Sequence, residues 1–566
     1  MKKQSFLKGS AILVGMVVIT KALGLLYKIP LANILGGTGM GYFSAAFSVF
    51  TPVFSIVAAG IPSAMSRLAA ENAALGRFSN LRKQKRVAHL TFALFSLCAC
   101  VLMILAAEPL GSAAVKEPAV KYALICIAPS VVFCSIMNVE RGYYEGLSNM
   151  LPTALSEVAE TVFKIVLGLG LALFTERYAL DSFEQRGRVF GIACRDSLSA
   201  HDTALPFIAA AAILGSTLAS GIACLMLLVG AKIKGDGITE DMLKADPVTD
   251  SRRRHAKTLL TLSLSIAFAA VITTMTGMID MLTIAPCIKR AALKSPHIFE
   301  KYYSMGVSPR QLPTFMYGSY EGLAMLIYGL VPTLTAMFGK SALPSLSDAW
   351  ARRDKAAFAE SLQKMMTVSA VIAIPSGLGI CVLARPALMF LFAARAAEVE
   401  AAAEPLAIMG LSVVFFGLSL PCFTVIQTLG KPAKAAAVIA AGGVIKLLLN
   451  LALISIPEIN LSGAAVSELV SSAFVCVLTL REVYKLGGVR CSLLETYIKP
   501  LYAGVMCAVS ARLTYDFIDK WKIVPVNYRL VTLTAVTFGG IMYFISLYLL
   551  CETPKNIIKY AFSKKK

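Results

Sequence analysis

Ionisable side chains lie inside long apolar stretches of this sequence, and their spacing indicates the chemistry that they could do. Lys21 and Lys28 are two helical turns apart and therefore share one helix face. Glu157, Glu160 and Lys164 also share a face, and Glu160 and Lys164 have the spacing of a helical ion pair. An ionisable group in hydrocarbon costs several kcal/mol, so each should face a polar cavity or a charged partner. For Glu160 and Lys164, a cavity role and a purely structural pair both stay open.

Later apolar stretches carry further charges. Lys340 and Glu468 lie close enough to the ends of their stretches to reach the membrane surface, which favours a structural role for both. A cavity lined by lysines suits an anionic ligand such as a phosphate, a pyrophosphate or a carboxylate. We predict no catalytic residue. The predicted ligand-binding residues are Lys21, Lys28, Lys164 and Lys446, and the candidate ion-coupling residues are Asp280, Glu157, Glu160 and Glu321.

The composition excludes a soluble globular enzyme. The 566 residues are 57% hydrophobic and only 15% charged, whereas soluble domains are about 25% charged. The net charge of +21 is explained by an excess of Lys and Arg in cytoplasmic loops, so a nucleic-acid partner is not expected. The 13 Cys include no C-x-x-C pair, so we expect no metal site. The sequence also lacks a G-x-x-x-x-G-K-[ST] motif, so we expect no nucleotide cofactor and look to a cation gradient or the membrane potential for energy.

The apolar stretches predict an all-α integral membrane protein with about 14 transmembrane helices, because about 20 apolar helical residues cross a bilayer. A cleavable signal peptide is not predicted, since two lysines interrupt the first stretch. Lys and Arg are concentrated on alternate connecting segments, which predicts cytoplasmic termini and a multi-pass protein of the cytoplasmic membrane. The predicted spans are 9–34, 42–70, 87–107, 119–146, 151–174, 204–231, 257–286, 318–348, 365–393, 405–429, 433–456, 462–484, 497–514 and 529–551.

Segment 287–317, between two predicted spans, mixes aromatic and basic residues. It predicts either an interfacial helix on the outer leaflet or a plain solvated loop.

The sequence contains a weak internal repeat that predicts its domain organisation. The matching residues are separated by one constant distance along the sequence and lie in corresponding helices of the two halves. This pattern predicts two six-helix lobes in the same orientation, with substrate bound between them. The predicted domains are the lobe 1–238, a cytoplasmic linker 239–256, the lobe 257–485 and two additional helices with a basic tail, 486–566. The matching positions are Pro62-Ser63 with Pro344-Ser345, Leu147 with Leu429, and Val162-Phe163-Lys164 with Val444-Ile445-Lys446.

Three short motifs, with this duplicated plan, resemble the multidrug/oligosaccharidyl-lipid/polysaccharide exporter superfamily. TKALG at 20–24 and LPSLS at 343–347 look like its polysaccharide biosynthesis branch, and YGSYEG at 317–322 is most similar to the stage V sporulation protein B type. The resemblance implies two lobes around a V-shaped central cavity, with a lipid-tail groove at the last two helices. It also implies outward movement of undecaprenyl-diphosphate-linked sugars, among them the peptidoglycan precursor lipid II, for cell-wall synthesis or sporulation.

The resemblance also bears on single residues. Lys21 falls where lipid II flippases of the MurJ type carry an essential arginine, but Tyr27 falls on the next arginine of that helix. The sequence therefore departs from that arginine set, and lysines would read the diphosphate instead.

Two rival functions stay open. A cation-coupled multidrug antiporter of the same superfamily would want carboxylates and aromatic side chains in its cavity rather than lysines. A membrane-embedded glycosyltransferase would need clustered acids or histidines, whereas the 4 His are dispersed. We expect a monomer among membrane lipids.

Overall fold

The computed structural model describes residues 6–114, 117–245, 249–521 and 528–550, and it is built almost entirely of helices. It divides into two compact units, residues 1–285 and 286–566. The first unit contains α1 Phe6–Val57, α2 Ile61–Ala74, α3 Phe78–Leu105, α4 Ala107–Ala114, α5 Val120–Ile127, α6 Ser130–Gly146, α7 Leu151–Arg186, the antiparallel strands β1 Arg188–Val189 and β2 Ile192–Ala193, α8 Ser197–Lys234, α9 Glu240–Ala245 and most of α10 Arg252–Lys294.

The second unit begins within α10. Its later elements are a 3-10 turn Pro296–Phe299, α11 Glu300–Ser304, α12 Leu312–Ser319, a π-helical turn Tyr320–Ala324, α13 Met325–Tyr328, α14 Leu330–Ala351, α15 Lys355–Leu391, α16 Ala396–Thr428, α17 Pro432–Leu453, α18 Ser462–Gly487, a π-helical turn Leu494–Ile498, α19 Lys499–Trp521 and α20 Tyr528–Leu550. The predicted domain boundaries, which place the second lobe at residue 257, stay a prediction.

The all-helical membrane fold is confirmed, but the count of 14 spans is not. The described residues contain 11 helices long and apolar enough to cross a membrane, or 12 if one bent pair is a single span. Two predicted spans account for the difference. The first two lie together within Ile19–Ala74, because α1 consists of two helices joined at a kink, where Gly36 is non-helical with φ 58° and ψ −170°. The thirteenth corresponds to α19, which carries several charged residues and is not among the helices apolar enough to cross a membrane.

Apolar residues cover the outside of these helices as well as the inside. On α3, for example, Leu90, Leu97 and Leu105 are exposed while Phe92 is buried. In water such a surface would aggregate, but lipid tails are as apolar as leucine. The pattern is therefore that of a lipid-facing helix.

Segment 287–317 is mostly helical, so the plain loop is wrong and the interfacial helix stays a prediction. It continues α10 to Lys294, forms the 3-10 turn and α11, and enters α12 at Leu312. The aromatic side chains of Phe299 and Tyr302, which suggested membrane contact, are buried in the protein. Lys301 pairs with Glu400 of α16 at 3.5 Å, so the segment docks on its own unit.

The predicted linker 239–256 and the turn before it are attached to the first unit. Ser79 of α3 donates a hydrogen bond to the carbonyl oxygen of Leu243, and Arg82 pairs with Asp236 at 3.3 Å. The Tyr143 hydroxyl also donates to Asp236, at 2.7 Å. Burial alone would raise the pKa of Asp236, yet the hydrogen bonds it accepts hold that pKa below its ordinary value. Asp236 is therefore ionised near neutral pH and fastens the linker to α3 and α6.

Candidate functional site

In the first unit, α1 and α7 bring together two of the predicted ligand-binding lysines. Lys164 is close enough to interact electrostatically with Lys28 and with Glu160 of its own helix. The Lys164 ammonium lies 5.1 Å from the centroid of the Tyr27 ring and 5.1 Å from that of Phe47. Aromatic faces attract a cation and hold it in place without neutralising it. The Lys28 side chain is exposed at the surface of the unit.

Tyr27 is the structural support of this cationic site. Its ring is buried, and its hydroxyl lies 3.3 Å from the Ser216 hydroxyl and 3.4 Å from the Ala212 carbonyl oxygen on α8. Against α7 the ring contacts Gly168, where an added Cβ would lie only 2.7 Å from a ring carbon. The absence of a side chain at Gly168 thus lets Tyr27 lie beside Lys164. The third predicted lysine of this unit, Lys21, is exposed two turns earlier on α1.

We expect Gly168→Ala to disturb this site and Gly170→Ala to leave it unchanged. An Ala at Gly168 must displace the Tyr27 ring, and overpacking of this kind typically costs about 1–3 kcal/mol. At Gly170, on the same helix, nothing lies within 4 Å of an added Cβ, so this variant should be neutral or slightly more stable. The melting temperature and the affinity for pyrophosphate would be measured for both. Equal values in the two variants would contradict this role of Tyr27.

The acidic candidates Glu157 and Glu160 meet an arginine that the sequence analysis did not single out. Arg141 of α6 is buried and lies 3.0 Å from Glu160 and 3.9 Å from Glu157. Glu160 also accepts a hydrogen bond from Ser220 of α8 at 2.8 Å. The close partner of Glu160 is therefore Arg141. Only a comparison between helices could have found it, because Arg141 and Glu160 belong to different predicted spans.

In the second unit, Lys446 forms a buried ion pair with Glu468. Their charged atoms are 2.7 Å apart, and the side chains are 2% and 12% exposed respectively. Glu468 also accepts a hydrogen bond from the Tyr328 hydroxyl at 2.8 Å. The expectation that Glu468 reaches the membrane surface is thus wrong, because α18 directs it to α17. Lys446 is therefore a paired lysine in the structure.

The two remaining candidates for ion coupling lie on other helices. Asp280 is fully buried on α10 in the first unit. Glu321 is partly buried in the π-helical turn between α12 and α13 of the second unit. Their coupling roles stay predictions.

Comparison with known proteins identifies the group to which this arrangement is related. Residues 6–180 match the model of the family described as polysaccharide biosynthesis protein, and residues 321–452 match the MatE model. Stage V sporulation protein B of Bacillus subtilis (strain 168) is 31% identical over 167 residues, which are 30% of this chain and 32% of that protein. Lipid II flippase MurJ of the same strain is 20% identical over 464 residues, which are 80% of this chain and 78% of that protein.

The fold agrees with these sequence matches. The structure of a lipid II flippase MurJ in an inward closed conformation superimposes with a TM-score of 0.65 at 13% identity, over 96% of this chain and 98% of that chain. The predicted resemblance to the exporter superfamily is confirmed. The chain is therefore a multi-pass membrane transporter and not an enzyme, which removes the glycosyltransferase from consideration.

Within a transporter, the predicted charges lie in two arrangements. Arg141 with Glu160, and Lys446 with Glu468, form ion pairs inside their units. Lys164 lies beside aromatic rings and near Lys28, and Lys28 is exposed, so a ligand can reach this cationic site.

Proposed function

We propose that this transporter moves an undecaprenyl-diphosphate-linked oligosaccharide, lipid II or a related cell-wall precursor, from the inner to the outer leaflet of the cytoplasmic membrane. The observation that carries the proposal is the cationic site of Lys28 and Lys164 beside Tyr27 and Phe47. Two ammonium groups match the charge of a diphosphate, and the exposed Lys21 on the same helix would add a third. The relationship to the lipid II flippase supports the same ligand class.

The topology and energy source belong to the same proposal. The bias of Lys and Arg between alternate loops supports cytoplasmic termini. A lipid diphosphate carries net charge, and the membrane potential acts on a moving charge with about 2.3 kcal/mol per elementary charge per 100 mV. The potential or a cation gradient would therefore drive alternating access.

A cation-coupled multidrug antiporter is the second candidate, because residues 321–452 match the MatE model. That match lies in the second unit, whereas the cationic site lies in the first. A site presenting two lysines repels an organic cation, which favours the anionic lipid.

Native mass spectrometry of the purified protein distinguishes the two functions. Undecaprenyl diphosphate, undecaprenyl monophosphate and a cationic dye would be offered in turn to the wild-type chain. We expect the diphosphate lipid to bind more tightly than the monophosphate and the dye not to compete. Binding of the dye with no preference for the diphosphate would overturn the proposal and favour the antiporter.

A further inference from the structure

A cavity of about 450 Å³ opens in the second unit where α14 turns into α15, and its size is that of a small-ligand site. Ala349, Phe358 and Gly487 are buried and form its apolar floor. An added Cβ at Gly487 would lie 2.8 Å from the Phe358 ring, so the absence of a side chain there lets α18 pack against the floor. Trp350 lines the cavity beside Phe358, with the two ring centroids 5.6 Å apart, and is 41% exposed.

The position of this cavity is beyond the apolar parts of its helices. The apolar segment of α14 ends at Leu343, and Trp350 lies seven residues later, about 10 Å further along the helix. The first turns of α15 carry Lys355, Glu360 and Lys364. Tryptophan is enriched at the boundary between membrane and water. The cavity therefore lies at the level of lipid headgroups.

The charges that line the cavity are mainly positive. Arg353 and Lys355 both line it, and both are exposed. The lining also contains Asp354, whose carboxylate accepts a hydrogen bond from the backbone N–H of Ala357 at 3.0 Å. A guanidinium and an ammonium above an apolar floor suit a phosphate that is attached to an apolar group.

Arg353 stands at a backbone position that favours glycine. Its φ is 57°, a conformation that residues with a Cβ rarely adopt. The turn between α2 and α3 has the same backbone hydrogen bonds: Gly76 donates to the carbonyl three residues earlier, and the next N–H donates to the carbonyl five residues before it, as Arg353 and its successor do. Gly76 has φ 72°, so the first unit places a glycine at the position that Arg353 occupies in the second. Because the turn itself does not require an arginine, its side chain is the reason for its presence.

We propose that this cavity binds the headgroup of an anionic phospholipid of the surrounding bilayer, and that Arg353 contacts the lipid phosphate. Lys355 supplies the second cation, and Trp350 packs against the glycerol end of the lipid while the acyl chains remain in the bilayer. A zwitterionic headgroup carries an ammonium of its own, which the two cations repel. The inference goes beyond the proposed function and does not depend on it, because this lipid is a bound component of the membrane and not the transported molecule.

The fluorescence of Trp350 reports on the site directly. The chain contains two Trp, so a Trp521→Phe parent keeps Trp350 alone. The purified parent in nonionic micelles would be titrated with phosphatidylglycerol or phosphatidylcholine whose acyl chains carry bromine, a short-range quencher. Since the anionic headgroup gains a charge-assisted hydrogen bond, we expect phosphatidylglycerol to reach half-maximal quenching at about tenfold lower concentration.

Two variants of this parent locate the preference at Arg353. Arg353→Gly should remove the preference for phosphatidylglycerol and change the melting temperature little, because glycine suits the positive φ but frees the unfolded chain. The neighbouring Arg352 pairs with Asp348 at 2.9 Å, so Arg352→Gln makes the same change in net charge and should keep the preference. Equal quenching by the two lipids in the parent, an unchanged preference in Arg353→Gly, or an equal loss in both variants would overturn the inference.

Glycerol 3-phosphate distinguishes a lipid headgroup from a free phosphate ester. A lipid held in the micelle has a high effective concentration at the cavity, which a soluble headgroup lacks. We therefore expect glycerol 3-phosphate to relieve the quenching only at about 100-fold or greater excess over phosphatidylglycerol. Relief at equal concentration would show that the cavity takes a soluble phosphate ester, and the assignment to a lipid would be wrong.

Discussion

Arg141→Met is expected to lower the free energy of unfolding by about 3–5 kcal/mol. Arg141 is buried between α6 and α7, where it pairs with Glu160 and Glu157. Without it, the two carboxylates lose the cation that pairs with both of them. Denaturation of the purified protein in mixed micelles, followed by circular dichroism, would measure the loss.

Two comparisons make the Arg141 result interpretable. Arg352→Met removes an exposed helical pair with Asp348 and should cost less than about 1 kcal/mol. The double variant Arg141→Met, Glu160→Met should recover most of the loss, since apolar replacement of a whole buried pair is often neutral. A cost for Arg141→Met as small as that of Arg352→Met would show that the buried pair contributes little.

The double variant Lys28→Gln, Lys164→Gln is expected to weaken binding of undecaprenyl diphosphate about 100-fold. A hydrogen bond to a charged group contributes about 1.5–3 kcal/mol, and each 1.4 kcal/mol is a factor of ten in affinity. Glutamine keeps much of the length and polarity of lysine, so the change removes mainly charge. Native mass spectrometry across a range of lipid concentrations would give the affinities.

The matched control for this pair is Lys232→Gln, Lys257→Gln. Both lysines are exposed in the same unit, at the end of α8 and near the start of α10. The control makes the same change in net charge away from the cationic site and should bind the lipid like the wild type. If the two double variants lost affinity equally, general electrostatic attraction would explain the binding and the site at Lys28 and Lys164 would not.

The sequence predicted the features that depend on local pattern. Apolar runs about 20 residues long indicate spanning helices whatever they pack against. The helical spacing that placed Lys21 and Lys28 on one face needs only the geometry of a single helix. The motifs at 20–24, 317–322 and 343–347 carried enough information to indicate the superfamily.

The features that the sequence did not predict depend on contacts between helices. Spacing along α7 relates Glu160 to Lys164, but it does not give Arg141 of α6, which pairs with Glu160 at 3.0 Å, or the aromatic rings beside Lys164. A position near the end of a span suggested that Glu468 reaches the membrane surface, but α18 directs it to Lys446. The spacing of residues along a helix shows which side chains share a face. It does not show which other helix packs against that face.

The boundary between the first two predicted spans is also visible in the backbone. The predicted spans 9–34 and 42–70 leave a gap, and α1 is kinked within this gap at Gly36, where φ is 58° and ψ is −170°. Glycine adopts positive φ without the steric cost that a Cβ would add.

Translocation of a lipid-linked diphosphate in reconstituted vesicles tests the central claim most directly. Fluorescent undecaprenyl-diphosphate-linked sugar would be incorporated into vesicles with the purified protein, and its appearance in the opposite leaflet would be followed with an impermeant quencher. We predict that the wild type moves the lipid faster than protein-free vesicles do, that Lys28→Gln, Lys164→Gln does not, and that Lys232→Gln, Lys257→Gln retains the wild-type rate. A wild-type rate no faster than that of protein-free vesicles, in a preparation that transports a cationic dye, would contradict the account.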